Sequence, residues 1–486
     1  MIRDRASAET VDVCVVGAGP AGLVVALTLE TLGRSVVLLE SGGIRSSRAA
    51  RELGDGDVEG EPYAGLARTR HRQIGGTPHI WDVVVDGRPA AKYAPLSPRD
   101  MASWPLGWQE LRPFYVEAQE LCGLGPFEYG AEHWSTAERR PFALDGTGLT
   151  SGVYQFGHAD CFTRTLVDRV RSSDAITLVP SATVVGLDLD HGSRRMGALR
   201  IADERGRRDE VKARVVILAC GAVENARLLL LSGAEEAHRS PWLGRCFQEH
   251  ARDFSLVLVP QLPELLARAS FYDLHRQDGV TIGGRLALRE DAMERFRLPN
   301  ASMTLVPRWR SGRGRSLLDS LLRGLGRKPQ GRYGWSRMGA SACDSFQVIM
   351  NLEHRPRPEN RIELGDRKDR FGNPLPRLVL RWSEEEQAEL ERLRELLGDW
   401  FRGAKLGRLL PSRGQRPDLS AHHHAGTTRM AAEAGDGVVD PDGLVFGCEN
   451  LYLAGASVFP SAGFANPTLT IVALALRLAR QVATRL

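Results

Sequence analysis

The most constraining feature of the chain is its start: residues 11–16, VDVCVV, run directly into Gly17-Ala18-Gly19-Pro20-Ala21-Gly22 and then into LVVALTLETLG. A short β-branched run suits a strand buried on both faces, and the apolar segment after the glycines has a helical pattern. Strand, glycine turn and helix in this order build a dinucleotide site. Gly17 is assigned the tight turn, Gly19 the close approach of backbone to a pyrophosphate, and Gly22 the packing of helix on strand. The helix N-terminus then faces the phosphates. A second strand, SVVLLE, ends at Glu40, 18 residues past Gly22, where a carboxylate can accept hydrogen bonds from ribose hydroxyls. Glu40, with Ser41 beside it, is the expected ribose contact; a solvated strand-end carboxylate is the alternative. NAD and FAD both fit this turn.

At 486 residues the chain exceeds one ordinary core, and two or three domains are expected. A hydrophobic content of 42% with 26% charged residues is that of a folded soluble protein. The net charge of +4, from 64 basic and 60 acidic side chains, gives no reason to invoke nucleic acid. The seven cysteines contain no CxxC pair, so neither a disulfide framework nor a zinc site is suggested, and a reducing compartment fits. No export-type segment precedes the first strand, and no apolar run approaches the roughly 20 residues of a membrane helix. A cytoplasmic location is expected.

Near the C-terminus the chain reads HHHAGTTRM from His422 and ASVFPSAGFANPTLTIVALALRLARQVATRL from Ala456. Together with the glycine turn, this block resembles the glucose-methanol-choline (GMC) oxidoreductases. Lesser matches are GGTPHIW (Gly75–Trp81), WPLGWQELRPFY (Trp104–Tyr115), ARVVILACGAVENARLLLLS (Ala213–Ser232) and the PENRIEL…DRFGNP stretch around Asn360–Pro374. Residues 255–340 carry no such motif. The resemblance implies an α/β fold: a discontinuous, doubly wound Rossmann-like FAD-binding domain with an α+β substrate domain built on an antiparallel sheet. The expected division is 1–100, 151–255 and 431–486 for the FAD-binding domain, 101–150 as a linking segment and 256–430 as the substrate domain.

The same resemblance implies the site. His423 stands three residues before the glycine of the Gly426-Thr427 pair and takes the position of the catalytic base, leaving His422 and His424 as structural neighbours. Asn466, in Asn-Pro-Thr-Leu-Thr, takes the second catalytic position. The implied cofactor is FAD, contacted by the loop Gly75, Gly76 and Thr77, by Val184 near adenine, by the strand end at Cys220 and Gly221, by Gly455 and Ala456, and by Pro467 and Thr468. The last two open a helix, Thr468 to Arg485, aimed at the flavin's pyrimidine edge. FAD is expected to be non-covalent, because Ile80 precedes Trp81 where covalently linked relatives carry histidine; here the histidine is His79.

Two polar groups suit this chemistry. An alcohol yields its hydride easily only as its hydroxyl proton leaves, so a base must reach that oxygen. A carboxamide can donate to the oxygen as charge develops there. The expected reaction is oxidation of a CH–OH group, with a sugar, glycoside or aminoglycoside-type alcohol as first choice of substrate and oxygen or a carrier as electron acceptor. Steroid, aliphatic or choline-like alcohols are alternatives, as is a flavin amine oxidase or desaturase. The three-histidine run is not expected to bind metal, since adjacent side chains on a strand alternate in direction. For Asn466 the plainer reading is a cap on the helix that follows Pro467. Residues 308–338 hold nine basic residues against Asp319 and read as a solvated insertion, and Ser383 to Phe401 as a capped amphipathic surface helix.

Overall fold

The computed structural model describes residues 11–190, 194–232, 240–262, 264–309, 343–412 and 416–486. The basic stretch beyond Trp309 therefore lies outside the described residues. Val13, Cys14 and Val15 are fully buried and Val16 is 5% exposed, as an interior strand of a parallel sheet requires. That strand, Val11–Val16, is the middle of five, in the order Leu451–Leu453, Ala213–Leu218, Val11–Val16, Val36–Leu39, Ile176–Val179. All four pairings are parallel, and Val16 stands opposite both Leu218 and Leu39. The turns leaving these strands consequently open along one sheet edge, where doubly wound folds take their ligands. Helices Pro20–Thr31 and Thr468–Arg485 pack on each other, and Trp108–Leu121 packs on the second of them.

The other layer is a nine-stranded sheet whose neighbouring strands run antiparallel, from Gly407–Pro411 at one edge to Val83–Val85 at the other. Besides Ala251–Pro260, Val280–Leu288, Ala301–Trp309 and Cys343–Leu352, it takes in Arg88–Tyr93 and Leu149–His158. The expected division places Arg88–Tyr93 in the first FAD-binding piece and Leu149–His158 across the boundary of the linking segment and the second FAD-binding piece. Alternation along a strand reports which side chains are buried but not which sheet the strand joins. Helix Glu384–Gly403 has a capping box, Ser383 Oγ accepting from Glu386 N–H while the Glu386 carboxylate accepts from Ser383 N–H. Its Leu390, Leu393 and Leu397 are fully buried in one core with Phe346 and Val348 of the large sheet. Among the described residues no helix is long and apolar enough to cross a membrane.

Candidate active site

The glycine turn works by letting bare backbones meet. Gly17 has φ +102°, and a Cβ there would lie 2.6 Å from the carbonyl oxygen of Ala219. A Cβ on Gly22 would lie 1.8 Å from the Gly17 carbonyl oxygen, so only glycine lets the helix seat on the turn. Gly76, at φ +70°, opposes Gly19: its Cβ would fall 2.8 Å from Gly19 Cα. Beside this contact opens a cavity of about 590 Å³.

Every expected site residue lines that cavity except Gly22 and Gly75. Gly22 has the packing role its place in the motif assigns. Gly75 does not line the cavity itself. Its N–H donates to Ala18 O at 2.8 Å, and a Cβ there would lie 3.0 Å from the Phe162 carbonyl oxygen, so it fastens the loop from behind while Gly76 and Thr77 face the space. His79 turns Nε2 to the Ile74 carbonyl at 2.9 Å.

Glu40 is 6% exposed, which removes the solvated-carboxylate alternative. Its two oxygens accept from Ala18 N–H and Gly42 N–H, each at 2.8 Å. Burial pushes its pKa up, against the pull of those two donors and of Arg72. The carboxylate thus holds the glycine turn while bordering the cavity with Ser41. The same wall carries an ion cluster that the sequence did not reveal. Glu224 meets Arg70 at 2.6 Å, Arg72 at 2.9 Å and Arg227 at 3.3 Å, and Arg227 meets Asp369 at 2.6 Å. Burial raises the Glu224 pKa, but Arg72, Arg70 and Arg227 outweigh it and hold the group far below the usual carboxylate range. Three guanidinium groups thus stand on this wall beside Glu224 and Asp369, with Glu40 near Arg72, and the Nε atoms of Arg70 and Arg72 are buried without a partner. A cavity with a bare glycine cradle, a helix N-terminus at Pro20 and two arginines with unpartnered Nε atoms fits the pyrophosphate of FAD. The pairing of Arg70 and Arg72 just ahead of Gly75 is the one sequence signal that could have exposed it.

At the chemical end, three consecutive histidines are sent in different directions. His422 takes a left-handed conformation, φ +65°, uncommon for a residue with a side chain. The buried carboxylate of Glu249 secures this bend by accepting from His422 N–H at 3.0 Å, His423 N–H at 2.6 Å and His250 N–H at 3.0 Å, and from the Tyr63 hydroxyl at 2.8 Å. The Tyr63 oxygen in turn accepts from His424 Nε2 at 2.6 Å. Burial pushes Glu249 up to about 7, opposed by these donors. It pushes His424 down to about 3 and His423 well below the usual imidazole range, the latter helped by His250, Lys92 and Arg252. His423 points Nδ1 at His250 Nδ1, 2.8 Å away.

Asn466 lines the same cavity, and its Oδ1 is buried without a hydrogen-bond partner. The helix beginning at Thr468 has Pro467 as N-cap and no side-chain cap bond, so the amide is not used for capping. Fully buried Asn225 joins two cavity-lining segments: its Oδ1 accepts from Cys220 N–H at 2.9 Å, and its Nδ2 donates to Ala454 O at 3.1 Å. Glu249, His250 and Tyr63 were not legible in advance. A run of three polar residues, Gln248 to His250, all at most 1% exposed, is their only trace.

A doubly wound nucleotide layer joined to an antiparallel sheet, with a histidine and an asparagine on the cavity between them, defines the class as flavin-dependent oxidoreductases. The comparisons agree. Residues 12–297 match the FAD dependent oxidoreductase family and residues 356–475 the GMC oxidoreductase C-terminal domain. The chain belongs to the FAD-dependent oxidoreductases and carries the GMC C-terminal domain; it is an enzyme that oxidises alcohols with FAD. It is 26% identical to 6'''-hydroxyparomomycin C oxidase of Streptomyces lividus, over 98% of this chain and 92% of that protein. It is 24% identical to paromamine 6'-oxidase of Streptomyces fradiae, over 97% and 91%. Pyridoxine 4-oxidase from Mesorbium loti shares the fold, with a TM-score of 0.60 at 18% identity, covering 97% of this chain and 99% of that one.

Proposed function

We propose that the protein oxidises a hydroxyl of a sugar, glycoside or aminoglycoside-type alcohol, with His423 as the base and Asn466 orienting the alcohol. The observation that carries this reading is that His423 and Asn466, 43 residues apart in the chain, line one cavity with the glycine turn. Bound FAD supplies the hydride acceptor. The chain's own residues supply the rest. His423, kept neutral by its buried and cationic surroundings, can take the hydroxyl proton. Asn466, on the wall of the same cavity, can donate its Nδ2 amide to the carbinol oxygen as charge grows there. Lys92 and Arg252 beside His423 favour an alkoxide over an alcohol. The substrate class is supported by the relatives, which are named for oxidation of 6'''-hydroxyparomomycin C, paromamine, C-glycosides and fructose.

Glu40, Ser41 and Val184 are assigned to the adenosine end, and Cys220, Gly221, Gly455, Ala456, Pro467 and Thr468 to the flavin end. The FAD-binding domain stays discontinuous in this reading, with Arg88–Tyr93 and Leu149–His158 given instead to the antiparallel sheet of the substrate layer. The test is anaerobic addition of a panel of alcohols to the yellow holoenzyme. Bleaching by neutral sugars, glycosides or aminoglycosides is expected. Bleaching only by steroids, aliphatic alcohols or amines would overturn the substrate assignment.

A further inference from the structure

We propose that His250 is a positioning residue that locks the proton of His423 on Nδ1 and so turns the lone pair of Nε2 toward the cavity. This rests on the reading of His423 as the base. The Gly463 carbonyl can only accept, and it lies 2.9 Å from His250 Nε2, so that nitrogen carries a proton. Burial, ahead of its other surroundings, pushes His250 down to about 4, so the ring is neutral near pH 7 and its Nδ1 is a bare acceptor. A contact of 2.8 Å between the two Nδ1 atoms needs one proton, and only His423 has one to place there. The rings stand edge to face, 80° apart with centroids 5.0 Å apart.

His423 Nε2 is then left with its lone pair, and among the described residues it has no hydrogen-bond partner. When the alcohol O–H breaks, its proton goes to His423 Nε2 while the Nδ1–H of His423 stays hydrogen-bonded to His250 Nδ1, and the carbinol hydrogen leaves together with its electron pair as hydride, which bound FAD would accept. The relay also ties the base to the other half of the site, since Gly463 lies three residues before Asn466.

Three substitutions separate this role from simple support. Asparagine places an oxygen where His250 Nδ1 stands, keeping the acceptor for His423. Glutamine places an N–H where Nε2 stands, keeping only the tie to Gly463. Leucine keeps neither. In holoenzymes matched for flavin content, anaerobic flavin reduction should stay near the wild-type rate in His250→Asn. It should fall about tenfold in His250→Gln and His250→Leu, the scale of one lost hydrogen bond. Retention by glutamine with loss by asparagine would overturn the proposal, because the Gly463 tie would then be what matters.

The second readout needs no turnover. ¹⁵N-histidine spectra of the wild-type holoenzyme, assigned by difference from His423→Asn, should show His423 protonated on Nδ1 and bare on Nε2. The opposite tautomer would overturn the proposal whether or not any variant folds. Unimpaired flavin reduction in His423→Asn would instead defeat the base assignment, while the spectra would still report the tautomer.

Discussion

Gly19→Ala and Gly22→Ala add the same methyl to two sides of one turn, and the structure separates their effects. At Gly22 the new Cβ would lie 1.8 Å from the Gly17 carbonyl oxygen, where ordinary contact begins near 3.4 Å. The helix from Pro20 would have to move by about 1.6 Å relative to a turn already wedged on Ala219, an overpacking that costs about 1–3 kcal/mol or more. The better helix propensity of alanine offsets only about 0.5–1 kcal/mol of this. At Gly19 the nearest atom to a Cβ is Gly76 Cα at 3.9 Å, an ordinary contact, so the fold loses only the difference between glycine and alanine as N-cap, under about 1 kcal/mol. That methyl does, however, enter the cradle that the pyrophosphate is expected to fill. Urea unfolding of the apoprotein should therefore show a large loss for Gly22→Ala and little for Gly19→Ala. Titration with FAD, followed by quenching of its fluorescence, should show Gly19→Ala weakened at least tenfold, or about 1.4 kcal/mol. Wild-type FAD affinity in Gly19→Ala would refute the placement of the pyrophosphate over this turn.

Arg227→Met strips a buried partner from both Glu224 and Asp369 and should destabilise the protein by about 3 kcal/mol or more in denaturant unfolding. Burial first, and the neighbouring Asp100 second, push Glu353 from 4.5 up to about 7. A raised carboxylate pKa means stability present below pH 4.5 and lost as pH rises through 7, so Glu353→Gln should match the wild type near pH 4 and exceed it at pH 8, by up to about 3 kcal/mol. Asn466→Leu should lower the rate of flavin reduction by roughly 10²-fold, the scale of losing a preorganised donor, with little change in unfolding midpoint because its Oδ1 holds no partner in the fold.

Local patterns carried much of the fold. The β-branched run at Val11–Val16 and the apolar helix at Thr468–Arg485 stand where the residues place them, because each is buried along its length and shows the matching period. Sheet membership was less legible: Arg88–Tyr93 and Leu149–His158 pair with each other across more than fifty residues, and nothing local encodes a partner that distant. The site divides in the same way. His423 and Asn466 sit in recognisable motifs. The groups that aim them do not, since Glu249 and His250 act on His423 from 174 and 173 residues away. A buried carboxylate and a buried imidazole in a strand-like segment look, in sequence, like any polar residues on a solvated face.

In the proposed reaction His423 takes the alcohol's proton. The direct measurement is the anaerobic single-turnover rate of flavin reduction by a reactive alcohol in His423→Gln, with flavin content matched to the wild type. A loss of roughly 10²–10⁴-fold, with the alcohol still bound, is predicted. Reduction at the wild-type rate would contradict it.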